Sequence, residues 1–185
     1  MHVRLRHLAI ALVALAGAAT SATAQQAALM GDLTRDANQV RDKMVALAKA
    51  IPQDKYDWRP SPGVRSVGEV FLHVASDNYL LPATFGIAPD PATGIKADDF
   101  KTLKAFEMRK LSRDDVVAEV QKSFAHLEKA MQGMPADKLG ESHSLFGQNM
   151  SGQRIWILTV THLHEHLGQA IAYARSNNVV PPWSQ

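Results

Sequence analysis

The stretch THLHEHLGQ, residues 161–169, lies in the segment that best defines the fold of this chain. In an α-helix, residues three and four apart share one face. Core-type side chains recur at this spacing around the stretch and form one stripe with two of its histidines: Ile155, Leu158, His162, His166, Gln169 and Tyr173. The pattern predicts an amphipathic helix that begins after Ser151 and ends at Asn177.

The two histidines on this stripe form the first candidate binding site. His162 and His166 are one helical turn apart, so one divalent ion could bridge their imidazoles. His164 projects from roughly the opposite side and is expected to face solvent. The alternative is that His162 and His166 are core-edge residues bonded to carbonyl groups. Two neutral imidazoles that face an apolar core each need a polar partner, and this need favours a shared metal ion.

Three further helical patterns precede this one, and they span residues 33–51, 66–82 and 112–133. The second of them begins at a capping box, Ser66-x-x-Glu69. Prolines and glycines between residues 82 and 99 predict a lid or a crossover there. We find no alternating strand pattern. The sequence therefore predicts an all-α protein, a four-helix bundle with a long crossover between the second and third helices.

A third candidate ligand, His73, lies on the apolar stripe of the second predicted helix. A lone histidine in such a place is more often an ordinary core residue. Its position midway along the helix favours a meeting with the last helix, whose histidines face the same core. Asp77 is one turn ahead and Glu69 one turn behind, so either carboxylate could orient an imidazole or become a fourth ligand. Their alternative is a solvated helix edge, and the capping box already explains Glu69.

The N-terminal residues have the features of a secretory signal. Arg4 and Arg6 precede an apolar run at residues 8–19, and the small residues Ala22-Thr23-Ala24 follow it. We expect cleavage after Ala24, export to the periplasm or medium, and a single domain at residues 25–185. The alternative is an uncleaved N-terminal anchor. No other stretch is long and apolar enough to cross a membrane, so no membrane association is expected after cleavage.

Charge and cysteine content exclude several functional classes. The formal net charge of +2 disappears once Arg4 and Arg6 are removed, so nucleic acid and anionic membranes are not expected as partners. There is no cysteine, and this absence excludes disulfides, thiolate ligands and a cysteine nucleophile. Of the remaining histidines, we expect His126 at the surface and His143 in a polar loop.

One catalytic motif overlaps the histidine pair. The sequence His162-x-x-Glu165-His166 matches the inverted zinc-protease motif, in which the glutamate activates a metal-bound water. Only a short segment follows His166, whereas those proteases are much larger and take their third ligand well downstream. The match is therefore interpreted as chance, although Glu165 stays a candidate general base.

Several segments together resemble the DinB-like superfamily of four-helix metal-binding proteins. They are IPQDKYDWRP at 51–60, GVRSVGE at 63–69 leading to His73, the pair His162-x-x-x-His166 followed by Gly168-Gln169, AYAR at 172–175 and VPPW at 180–183. Their order and spacing cover essentially all of residues 25–185. The resemblance implies an up-down-down-up bundle with a long crossover, often assembled as a homodimer.

The same resemblance implies a ligand set. By position, the metal ligands are His73 from the second helix and His162 and His166 from the last, with zinc or nickel as the typical ion and water at the open positions. Characterised relatives include transferases and isomerases that use low-molecular-weight thiols. This chain differs from those relatives in its predicted export signal, because low-molecular-weight thiols of that kind are cosubstrates in the cytosol.

These observations lead to a functional hypothesis and one alternative. The hypothesis is an exported protein whose divalent metal has three histidine ligands and supports hydrolysis or group transfer on an unknown small-molecule substrate. Glu165, Asp77 and Gln169 are the candidates for groups that orient the ligands or move protons. The alternative is a non-catalytic periplasmic binding or scaffold module.

Overall fold

The computed structural model describes the backbone of residues 2–184 and the side chains of residues 23–184. Its helices are α1 (His2–Ala50), α2 (Val67–Ala83), α3 (Phe100–Glu107), α4 (Arg113–Gln132) and α5 (Gly152–Ser176), and its strands are β1 (Ser142–Leu145) and β2 (Gln148–Ser151). The predicted signal falls almost entirely on residues whose side chains are not described, so its cleavage stays a prediction. Among the described residues, we find no helix with the length and apolar character that a membrane span requires.

The four predicted patterns lie within the four long helices, although α1 begins well before residue 33, and the other three helices begin where the sequence indicates. Ser66 accepts a hydrogen bond from the amide of Glu69, and the Glu69 carboxylate accepts one from the amide of Ser66, which completes the capping box of α2. Ser112 caps α4 and Ser151 caps α5 in the same way, each accepting from an amide three residues ahead. These side chains satisfy backbone amides that the first helical turn leaves without partners.

The long helices pack into a bundle around one core. Helix α1 packs against α4 and α5, and α2 packs against the same two helices. The largest buried side chains come from all four helices and include Met44, Leu47, Phe71, Leu72, Phe124, Leu127, Trp156 and Leu163. Burial of this apolar surface is the main favourable contribution to folding. The all-α bundle predicted from the sequence is confirmed.

The loop between α1 and α2 fixes the position of α2. The buried hydroxyl of Tyr56 donates a hydrogen bond to the carbonyl of Ala48 at the end of α1, at 2.6 Å. The amide of Gly68 donates to the Tyr56 carbonyl at 2.9 Å, and the amide of Val67 donates to the Trp58 carbonyl at 3.0 Å. Tyr56 therefore links the first turn of α2, through its carbonyl, to the end of α1, through its hydroxyl.

The predicted crossover between α2 and α4 contains a helix that the sequence analysis missed. Helix α3 has eight residues, caps its N-terminus with Asp99 and packs against α2. Its buried side chains are Leu103, Phe106 and Glu107, which share one face. A segment this short shows barely two turns of periodicity, and for that reason it was interpreted as part of an irregular link.

The structure contains a short hairpin that the sequence did not predict. Strands β1 and β2 form an antiparallel hairpin in which Leu145 pairs with Gln148 across a two-residue turn. Both turn residues, Phe146 and Gly147, have positive φ values of 52° and 75°, the backbone that a tight right-twisted hairpin requires. The strands have four residues each and are mostly polar, so no alternation of apolar residues could reveal them.

Two glycines of α5 have opposite environments and give a paired test of the packing. A Cβ on Gly152 would lie 2.9 Å from the Lys138 carbonyl oxygen, whereas a Cβ on Gly168 would meet nothing within 4 Å. We expect Gly152→Ala to lower the free energy of unfolding by about 1–3 kcal/mol through overpacking. We expect Gly168→Ala to raise it by roughly 0.5–1 kcal/mol because alanine favours the helix. Urea titration of both variants measures this, and equal effects would contradict the packing described.

Candidate metal centre

The structure brings the three predicted histidines to one point between α2 and α5. The Nε2 atom of His73 lies 3.0 Å from Nε2 of His166 and 3.2 Å from Nε2 of His162. One ligand atom from each residue lies within 4.8 Å of the other two, a spacing that a single metal ion could share. His73 and His166 are buried. Metal binding itself stays a prediction at this stage.

His162 lies at the edge of the buried face of α5 rather than at its centre. That face is centred on Trp156, Leu163 and Ala170, which are almost fully enclosed. The stripe predicted from the sequence was therefore displaced around the helix axis from the observed buried face, toward His162. The side chain of His162 is 20% exposed. This position leaves the cluster accessible from solvent on one side.

Hydrogen bonds behind two of the rings determine which nitrogen carries the proton. Nδ1 of His73 donates to the Glu107 carboxylate at 2.7 Å, and Nδ1 of His166 donates to Oε1 of Gln169 at 2.8 Å. The amide of Gln169 in turn donates to the Tyr173 hydroxyl at 3.1 Å. With their protons on Nδ1, both rings present Nε2 lone pairs to the centre. Two lone pairs 3.0 Å apart repel each other unless a cation lies between them, so these residues fit a metal ion.

The electrostatic environment favours the uncharged form of His162 and His166, which is the form that binds metals. Burial lowers the pKa of His162 to about 3, and the nearby His166 and His73 lower it further. Burial also lowers the pKa of His166, against a smaller opposing effect of its hydrogen bond to Gln169. A neutral imidazole is the state that ligates a metal, so protons compete weakly for the ring nitrogens near neutral pH.

Asp77 lies on the side of the imidazole rings where their Nε2 atoms meet. Its Oδ2 atom is 3.2 Å from Nε2 of His162 and 3.7 Å from Nε2 of His73. Burial raises the pKa of Asp77 to about 6, against a smaller opposing electrostatic effect of the neighbouring His73. Of the two roles considered from the sequence, this position suits a fourth ligand or a proton acceptor better than a group that orients an imidazole from behind.

Glu107 is the functional residue that the sequence analysis missed. Its carboxylate accepts hydrogen bonds from Nε and Nη2 of Arg65 at 3.0 and 3.3 Å, in addition to the bond from His73. Burial opposes ionisation, but the hydrogen bonds from His73 and Arg65 outweigh it and lower the pKa of Glu107 to about 2. One signal was available: Glu107 continues the apolar stripe of Leu103 and Phe106, as the histidines do on α5.

Other candidates lie away from the centre. Glu165 and His164 are exposed, so the solvent-facing prediction for His164 is right and the position of Glu165 does not support a general base. Glu69 serves the capping box and an ion pair with Arg59 at 3.0 Å rather than His73. His126 was predicted at the surface, but its side chain is half-buried against the ring of Tyr79. His143 was predicted in a polar loop, but it lies within β1 and is half-buried against the ring of Phe85.

The fold and this centre define a helical-bundle protein with a three-histidine cluster between two helices. The family model described as the DinB superfamily matches residues 37–170. The chain therefore belongs to the DinB superfamily, as the resemblance in the sequence indicated. A comparison with curated proteins found no match.

Solved structures share this fold. A DinB-like protein from Bacillus cereus superposes with a TM-score of 0.63 at 14% identity, covering 77% of this chain and 89% of that one. A DinB-like protein from Bacillus subtilis gives 0.61 at 17% identity, covering 83% and 99%. A conserved protein from Enterococcus faecalis gives 0.66 at 11% identity, covering 78% and 94%. At these identities the similarity shows the fold alone.

The contact between Glu107 and His73 gives a test of the centre. We expect Glu107→Ala to weaken the affinity for zinc by roughly tenfold to a hundredfold, since the His73 ring loses the acceptor that orients it. The matched control is Glu165→Ala, which removes an exposed acid next to His166 in the chain but directed away from the cluster, and it should leave the affinity unchanged. Competition with a chromophoric chelator measures both constants. Equal affinities in the two variants would show that Glu107 does not support the centre.

Proposed function

We propose that this protein binds one divalent metal ion, zinc or nickel, through Nε2 of His73, His162 and His166. The observation that carries the proposal is the meeting of these Nε2 atoms at 3.0–3.2 Å, with the protons of His73 and His166 held on the opposite nitrogen. A set of three imidazoles is typical of zinc sites that keep an open coordination position. The same ligands suit nickel, because imidazole binds several late divalent metals.

We further propose that the centre supports hydrolysis or group transfer on a small molecule. When bound, the ion would act as a Lewis acid and lower the pKa of a nucleophile at its open position. The residues around it have complementary roles. Glu107 and Gln169 hold the rings of His73 and His166 in place, which preserves the geometry of the centre during a reaction.

Asp77 is the residue that we propose for proton transfer. Its Oδ2 atom lies 3.2 Å from Nε2 of His162, beside the point where the ligands meet. In the metal-free protein burial raises the pKa of this carboxyl group to about 6. The position of Asp77 places a proton acceptor within reach of a group bound at the open coordination position. Glu165, exposed on the outer side of α5, has no comparable position.

Removal of single histidines tests the metal assignment. His162→Ala and His166→Ala should each lose the bound ion, whereas the parent should contain about one ion per chain. His164→Ala is the matched control, because it removes an exposed imidazole between the two on the same helix and should keep full metal content. Elemental analysis of each purified protein is the measurement. Stoichiometric metal in both ligand variants would refute the assignment, and low metal in all four proteins would favour a non-catalytic module.

We also propose that the protein is exported, on the basis of the residues that precede Gln25. The basic start, the apolar run and the small residues before Gln25 are those of a cleaved signal. We expect the N-terminal sequence of the protein from the periplasmic fraction to begin at Gln25. Mature protein that begins at Met1, or that remains in the membrane fraction, would contradict export with cleavage.

A further inference from the structure

A polar pocket adjoins the histidine cluster and is not used by the mechanism described above. Its volume is about 580 Å³, and it is lined by Arg59, Gly63, Val64, Arg65, Glu69, Lys104, Met108 and Gln169. This size lies in the range of pockets that bind small molecules. Arg65 and Gln169 line this pocket and also contact the surroundings of the cluster, because Arg65 donates to Glu107 and Gln169 accepts from His166. Only the side chain of Gln169 therefore separates a ligand in the pocket from His166.

Positive charge in the walls of this pocket exceeds the negative charge that faces it. The positive charge of Arg59 is neutralised by Glu69, to which its guanidinium donates a hydrogen bond at 3.0 Å. The same guanidinium also donates to the Val64 carbonyl at 2.8 Å. Glu69 is fully engaged as well, with one oxygen on Arg59 and the other on the amide of Ser66. Repulsion of an incoming anion by Glu69 is therefore largely cancelled.

The two other cations share a single carboxylate. Glu107 accepts two hydrogen bonds from Arg65 and lies 3.7 Å from Nζ of Lys104, while it also bonds His73. The Arg65 bonds use Nε and Nη2, and within the part of the chain that the structure describes Nη1 makes none. Lys104 keeps 61% exposure and has only the long contact with Glu107 in that same part. One positive charge thus lacks a close counterion at this wall.

We propose that this pocket binds an oxyanion of a small ligand, a carboxylate or a phosphate, between Arg65 and Lys104. The proposal rests on the proposed function, because it names the chemical class of substrate for the same site. A guanidinium fork matches the geometry of such oxygens, and a flexible ammonium adds charge without demanding one geometry. An anion held here directs the rest of the ligand along Gln169 toward His166.

Binding of simple probes to the full chain tests this proposal without any assay of activity. Succinate is titrated calorimetrically against its neutral analogue succinamide, on both the metal-free and the zinc-loaded protein. Inorganic phosphate is titrated on the metal-free protein alone. We expect succinate or phosphate to bind at least tenfold more tightly than succinamide in the metal-free protein. Tighter binding of phosphate than of succinate would assign the oxyanion to a phosphate group, and the reverse order to a carboxylate.

Variants of α3 locate the binding site. Lys104→Met removes the charge and keeps the apolar stem, and it should weaken succinate binding about fivefold. Lys101→Met makes the same change on an exposed residue of the same helix outside the pocket, and it should have no effect. Arg65→Met should weaken binding by tenfold or more. Its zinc content is measured alongside, because Glu107 loses its partner in that variant.

The outcomes separate this inference from the proposed function. Equal affinities for succinate and succinamide, or equal effects of Lys104→Met and Lys101→Met, would overturn the anion site even if zinc binds at one ion per chain. Selective succinate binding that depends on Lys104, in a protein that takes up neither zinc nor nickel, would support the anion site and refute the metal assignment.

Discussion

The hydrogen bond from Nδ1 of His73 to the Glu107 carboxylate is the interaction on which the candidate centre depends. It spans 2.7 Å and joins residues 34 positions apart in the chain, one on α2 and the other on α3. Because an ionised carboxylate only accepts hydrogen bonds, it holds the proton of His73 on Nδ1 and directs the Nε2 lone pair inward. The neighbouring bond between Gln169 and His166 does the same for the second ring. Without these partners the Nε2 atom of one imidazole could donate a proton to the Nε2 atom of the other, and the cluster would no longer favour a cation.

Helix α3 gives the crossover a specific role. It buries Leu103 and Phe106 against the bundle, and this packing brings Glu107 to the back of His73. Arg65, at the start of α2, closes the other side of the same carboxylate. A single buried acid, Glu107, thereby connects the histidine cluster with the pocket outside it. Glu107 is 7% exposed and contacts both His73 and the pocket residue Arg65.

Local sequence signals predicted most of the helical framework. The capping box at Ser66 and the prolines and glycines around the helices located the ends of the long elements to within a few residues, because each signal acts over one or two turns. The exception is the start of α1, which lies at His2 rather than near residue 33. The sequence also predicted correctly that His162 and His166 lie on an amphipathic helix, although the centre of its buried face lies nearer Leu163. The hairpin at 142–151 and helix α3 were missed, since both are too short to establish a period.

By itself, the sequence determined which faces of the helices are apolar and that three histidines lie on or beside those faces. Helical periodicity and capping act between residues near each other in the chain, so these features need no knowledge of the fold. Only the tertiary structure decided that His73 and His166, 93 residues apart, meet at 3.0 Å, and that Glu107, Asp77 and Arg65 surround them. Such contacts depend on how α2, α3 and α5 pack, and packing is set by the whole core rather than by any local segment.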